Sequence, residues 1–266
     1  MSDLRYRIIP IILWSRLGAV TGIQFKRHRR LGSLAPIVKL HTSREVDEMI
    51  FLDIRAGQDS VPIDIENLKL LSKNCFVPLT VGGGIDSVAA ARRLIRNGAD
   101  KIAVNSTALK RPELITELSE EFGSSSVVVS IDGMWDPNLN DYSCYVDSGS
   151  HNMLIPVSEW AEEAEVRGGG EILVCSIPHN GQLKGLDLEL VSSVTSRVSV
   201  PVIAAGGLGS SRHAVEAAQA GAQAVGASSV FQFTQVTPED IKRDLGAEGY
   251  PVRNQNSSMP KFLECL

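Results

Sequence analysis

Two short stretches of this chain carry the residue types that hold phosphate. Residues 81–85 read VGGGI and residues 204–209 read AAGGLG, and each follows an apolar run and precedes a helix-compatible one. Glycines at Gly83, Gly84, Gly206 and Gly207 would let backbone N–H groups approach an anion closely, with a helix N-terminus adding positive potential. One strand further on, each place gains a small polar turn: Asn105-Ser106 in the first case, Ser228-Ser229 in the second. A glycine turn beside a hydroxyl turn forms a phosphate cup at the top of an α/β barrel. Two such cups suit a ligand with a phosphate at each end. The alternative is that the glycines only make tight turns.

The cups are matched because the chain is written twice. Residues 48–106 align with 171–229 at a constant offset of 123, without a gap. A unit of this length is too long for a solenoid repeat and fits two strand–helix–strand–helix halves. Strands are expected at 7–13, 48–54, 77–81, 101–104, 127–132, 171–177, 200–205 and 222–227, with helices at 87–97, 111–122, 157–167, 210–220 and 238–245. Alternating β and α with near-continuous apolar strands predicts parallel pairing. Eight units in 266 residues predict a single (β/α)8 TIM barrel over 1–253, with half-barrels 1–123 and 124–253. Two segments break the rhythm after strand ends, where barrels build their sites. One is a long loop at 22–33 with Lys26, Arg27, Arg29 and Arg30 crowded together, and the other is a hairpin insertion at 136–155. The loop reads as a solvated segment, an anion clamp or a docking surface. The tail at 254–266 reads as loosely ordered.

Composition narrows the class. A net charge of −5 excludes a general nucleic-acid binder. The four cysteines are scattered without metal spacing and read as free thiols, and the histidines suggest no metal ligation. No signal-peptide pattern and no membrane-length apolar run is present, so a soluble, cytoplasmic protein is expected, with no metal and no cofactor.

The ordered motifs RIIPIIL, EVDEMIFLDI, PLTVGGGI, GADKIAVNS, SVVVSID, GGGEILVCSI, PVIAAGGLG and ASSVFQF resemble those of the HisF family from about residue 7 to 253. HisF is the cyclase subunit of imidazole glycerol phosphate synthase. The resemblance implies a barrel that receives ammonia along its axis from a glutaminase and cyclises a bis-phosphorylated substrate. It also implies an aspartate at the end of strands one and five. The second falls on Asp132, but the first falls on Leu13, which can neither donate nor accept a proton. After strand six the family's Asp-Arg-Asp-Gly-Thr becomes Pro178-His179-Asn180-Gly181-Gln182, which keeps Gly181 for phosphate and loses two carboxylates. Thr21 stands where the family's first loop has a lysine. The family's gating charges fall on Arg7, Glu48, Lys101 and Glu171, all of the same type, and Asp100 matches a residue that faces the glutaminase.

A complete floor under an altered mouth suggests a divergent member. It would activate a HisH-like glutaminase and pass ammonia to an ATP-dependent sugar amidotransferase of surface-polysaccharide synthesis. Asp132 would then bind a substrate amine or hydroxyl, serve as a lone base, or keep only local hydrogen bonds. The alternatives are a working histidine-pathway cyclase, with His179 replacing the lost acid, and a non-catalytic barrel that binds a sugar phosphate.

Overall fold

The structure, a computed structural model, describes residues 5–15, 18–55 and 63–253, so the expected tail at 254–266 lies outside the described residues. The strands are β1 (Arg7–Ser15), β2 (Gly18–Ile23), β3 (Lys26–Gly32), β4 (Met49–Asp53), β5 (Leu79–Gly82), β6 (Lys101–Val104), β7 (Val127–Asp136), β8 (Asp141–Val146), β9 (His151–Pro156), β10 (Glu171–Ser176), β11 (Val202–Ala205) and β12 (Ala224–Ala227). The helices the site depends on are α1 (Leu34–Ser43), α2 (Ile65–Ser72), α3 (Val88–Ile95), α4 (Ser106–Lys110), α5 (Glu113–Phe122), α6 (Val157–Val166), α7 (Leu188–Thr195), α8 (Ser211–Gln219), α9 (Val230–Phe233) and α10 (Pro238–Ala247).

Eight strands close on each other, all in parallel, in the cyclic order β1-β4-β5-β6-β7-β10-β11-β12. This is the (β/α)8 barrel that the alternating pattern predicts. The apolar runs are continuous because both faces of each strand are buried. Outward side chains such as Phe51, Val81, Ile102, Val129 and Val174 join the core between strands and helices. Inward side chains, among them Ile9, Ile50, Val128, Leu173 and Ile203, form a second core along the axis. Gly123, at φ 82°, ends α5 and passes the chain from the first four barrel strands to the last four.

The segment at 22–33 is not a loop. Most of it is β3, paired antiparallel with β2, which in turn pairs with the end of β1. Sequence periodicity misses β3 because Lys26 to Arg30 are all exposed and bury no apolar stripe. The insertion at 136–155 is the expected hairpin, extended by β7 itself: β7, β8 and β9 form an antiparallel ribbon in which Tyr142, Cys144 and Val146 turn inward.

Candidate functional site

The two cups lie on opposite walls of one cleft at the C-terminal mouth. In the cyclic order, β5 and β6 stand across from β11 and β12. Gly83, Gly84, Asn105 and Ser106 therefore face Gly206, Gly207, Ser228 and Ser229 over an opening of about 620 Å³, which Gly181 also lines. Each glycine turn is pressed against neighbouring backbone. A Cβ on Gly83, at φ 125°, would stand 2.2 Å from the Asp53 carbonyl oxygen, and one on Gly207, at φ 116°, 2.1 Å from that of Gly185. No other residue fits either place without moving the chain.

The hydroxyl turns differ in what they have free. Ser106 Oγ accepts the Asp147 N–H at 3.0 Å, so its own proton remains available to an anion. Ser229 Oγ shares a 2.8 Å hydrogen bond with Thr21 Oγ1, which ties β2 to the second cup. The Asn105 side chain, expected in the first cup, instead donates from Nδ2 to Asp132 Oδ2 at 2.8 Å.

Asp132 sits on β7, and Leu13 sits on β1 four strands away in either direction, so the two face each other across the same cleft. Burial raises the Asp132 carboxyl from 3.8 to about 7, and the hydrogen bond from Asn105 opposes that rise. A carboxyl balanced near neutrality can take or give a proton at physiological pH. Across from it Leu13, with Ile11 and Leu52, lines an apolar wall. Cys175, in register with Asp132, keeps its thiol neutral, because burial and the Asp132 charge both raise it.

His179, the alternative acid, packs beside Gly207 of the second turn, and its Nδ1–H donates to the Gly185 carbonyl at 2.9 Å. The altered loop serves packing. The Asn180 and Pro178 carbonyls accept from Gln24 N (2.9 Å) and Gln24 Nε2 (3.1 Å), which seats the β2–β3 turn over the place where the family resemblance puts carboxylates.

At the opposite end, the four floor charges meet as a closed ring. Arg7 bonds Glu48 Oε1 at 2.8 Å and Glu171 Oε1 at 2.5 Å. Lys101 Nζ reaches Glu48 Oε2 at 3.1 Å and Glu171 Oε2 at 3.0 Å. Burial lowers the proton affinity of Arg7, but the two carboxylates outweigh it and hold the guanidinium above its ordinary value. Between ring and cleft the axial core is mostly apolar, with the buried hydroxyl of Thr80 in register with Ile50, a medium that passes a neutral amine far more readily than an ion.

Two carboxylates brace this floor, and spacing alone does not reveal them. Asp47 Oδ2 accepts the Ile8 N–H at 2.8 Å while its Oδ1 pairs with the buried Lys242 Nζ at 2.8 Å. Asp100 Oδ2 accepts the Leu79 N–H at 2.8 Å. Each precedes a ring member, Glu48 and Lys101. Among the described residues no group of His, Cys, Asp or Glu could hold a metal ion, and no helix is long and apolar enough to cross a membrane.

Fold and site together define a class: a duplicated (β/α)8 barrel with two opposed pairs of glycine and small polar turns at its mouth and a self-neutralised charge ring at its floor. Residues 7–237 match the family model described as "Histidine biosynthesis protein". Similar proteins include imidazole glycerol phosphate synthase subunit HisF of Thermobifida fusca, 38% identical over 94% of this chain and 100% of that protein. The subunit HisF of Bacillus pumilus is 37% identical over 93% and 98%. A Campylobacter jejuni protein provisionally named imidazole glycerol phosphate synthase subunit hisF2 is 38% identical over 94% and 99%. The chain belongs to the HisF family.

Proposed function

We propose that this chain is the ammonia-conducting subunit of a two-protein glutamine amidotransferase. A HisH-like glutaminase docks at the floor, and ammonia passes the charge ring and the axial core to the mouth. The acceptor in this reading is not the histidine-pathway nucleotide. It is the substrate of a separate ATP-dependent amidotransferase that converts a sugar acetamido group to an acetamidino group. The observation that carries the reading is Leu13 facing Asp132 above a complete ring. Cyclisation needs an acid and a base on opposite sides of the substrate, and each group is worth typically about 10²–10⁴ in rate. With one of them replaced by an aliphatic side chain, conduction outlives cyclisation.

A second reading, an imidazole glycerol phosphate synthase cyclase in histidine biosynthesis, is favoured by the names of the Thermobifida and Bacillus relatives. It also draws on Asp132 being balanced near pH 7 between two cups. One experiment separates the two. The purified chain is given the bis-phosphorylated substrate with ammonium salt, and imidazole glycerol phosphate is measured. The first reading expects none above the uncatalysed rate, together with glutamine-dependent product when the chain, its glutaminase and the sugar amidotransferase are combined. Turnover of the nucleotide would reject it in favour of the cyclase.

A further inference from the structure

The two most exposed large apolar side chains among the described residues, Phe76 at 81% and Val166 at 82%, both lie at the floor end. Val166 closes α6, just before the turn into β10, and Phe76 stands in the turn that leads from α2 into β5. Phe76 is flanked by the half-buried Val77 and the exposed Pro78, which together make a short apolar ridge. The ridge is tied to the charge ring. Leu79, next along the chain, gives its N–H to Asp100 Oδ2 at 2.8 Å and takes the Asp100 N–H on its carbonyl at 2.9 Å. Asp100 itself is exposed and adjoins Lys101 of the ring.

We infer that Phe76 is the anchor through which the floor receives its glutaminase, with Asp100 beside it as the fixed charge. The inference rests on the reading that a glutaminase docks at this face. An aromatic side chain left in water at the rim of a conduit is the kind of group that dominates an interface once it enters a socket. The clamp on Leu79 spends one Asp100 oxygen and fixes the other, so the carboxylate is oriented before the partner arrives, which reduces the ordering cost of docking. The partner's surface therefore carries an apolar socket with a lysine or arginine at its edge.

The test uses the full chain and the HisH-type glutaminase of the same genome. Binding is measured by titration calorimetry, glutaminase activation by glutamate release, and self-association by light scattering, for the unaltered protein, Phe76→Ala and Phe76→Asp. The expected result is a loss of affinity on the order of tenfold for Phe76→Ala and more for Phe76→Asp. Thermal melting and inorganic phosphate binding at the mouth should be unchanged. Unaltered affinity in both variants would overturn the anchor while the docking reading stands. Loss of self-association with glutaminase binding intact would overturn it in favour of a second copy of this chain. If the unaltered protein neither binds nor activates the glutaminase, the docking reading fails, and the anchor with it.

Discussion

The two half-barrels solve one problem twice and diverge most at the mouth. In each half the first strand, β1 or β7, runs past the rim and carries an antiparallel hairpin, β2–β3 or β8–β9. Each half also puts a glycine turn and a small polar turn on its own wall of the cleft. The floor joins the halves, with Arg7, Glu48 and Lys101 from the first closing on Glu171 from the second. The halves part where chemistry would occur. The second presents Asp132 at the mouth, and its ribbon is bound internally through Asp136, Ser143 and Asn152. The first presents Leu13, and its hairpin shows a strand of exposed cations to solvent.

The largest expected effect breaks the comparison at Asp132. Asp132→Asn should abolish any proton-transfer activity at the mouth, by at least about 100-fold, and leave glutaminase activation at the floor as it was. Its pH signature has a definite sign. The folded carboxyl titrates near 7 against 3.8 for the free group. The folded state therefore binds the extra proton between those values, and stability falls as pH rises from about 4 to about 7. The span corresponds to roughly 4 kcal/mol. Denaturant melts across that range should show the decline in the native protein and a flatter profile in Asp132→Asn. Identical profiles would mean that Asp132 is not held protonated by burial.

The floor should respond next. Lys101→Ala leaves Glu48 and Glu171 to share Arg7 alone, with side chains only 10% and 5% exposed. Unpairing a buried ion typically costs about 3–5 kcal/mol. The retained Arg7 contacts put the expected loss at the lower end of that range. The functional outcome is glutamine hydrolysed without matching product, measured as glutamate released per acceptor aminated. An unchanged ratio would show that the ring is a structural plug. Leu13→Asp sharpens the same contrast. It restores a carboxyl opposite Asp132, but the Gln24 contacts to Pro178 and Asn180 keep the rest of the mouth reshaped. Cyclase activity should therefore stay near background in the single variant, and substantial turnover would show that the mouth had diverged only at Leu13.

Which of these features the sequence discloses follows from how each is held. All eight barrel strands are visible as apolar runs because burial on both faces writes itself into every residue. The cups are visible because positive φ and close backbone approach at Gly83 and Gly207 admit nothing but glycine. What stays hidden depends on pairing between distant segments. β3 is a strand only because β2 offers it hydrogen bonds. Asn105 turns from the cup to Asp132 because it follows Val104, the last β6 residue in register with β7, while Asp132 lies three residues past Val104's partner Val129. The clamps of Asp47 and Asp100 require knowing which strand starts beside which. The family resemblance names Asp100 as a partner residue, and the fold adds that half of its carboxylate is already engaged.

The smallest effect concerns the basic hairpin. Lys26, Arg27 and Arg30 are exposed on an edge strand and form no ion pair with the described residues, while Arg29 stacks its guanidinium 4.9 Å from the centre of the Phe233 ring. Cations on an unpaired edge discourage strand addition by other chains, and surface changes away from packed features usually fall within about 0.5 kcal/mol. Replacing Lys26, Arg27 and Arg30 together by glutamate should thus barely move the melting temperature. If the cations also attract phosphorylated ligands to the mouth, the same variant should bind a bis-phosphorylated compound more weakly at low salt, with the difference vanishing as ionic strength rises. A deficit that persists at high salt would point instead to a displaced Thr21–Ser229 contact and a distorted second cup.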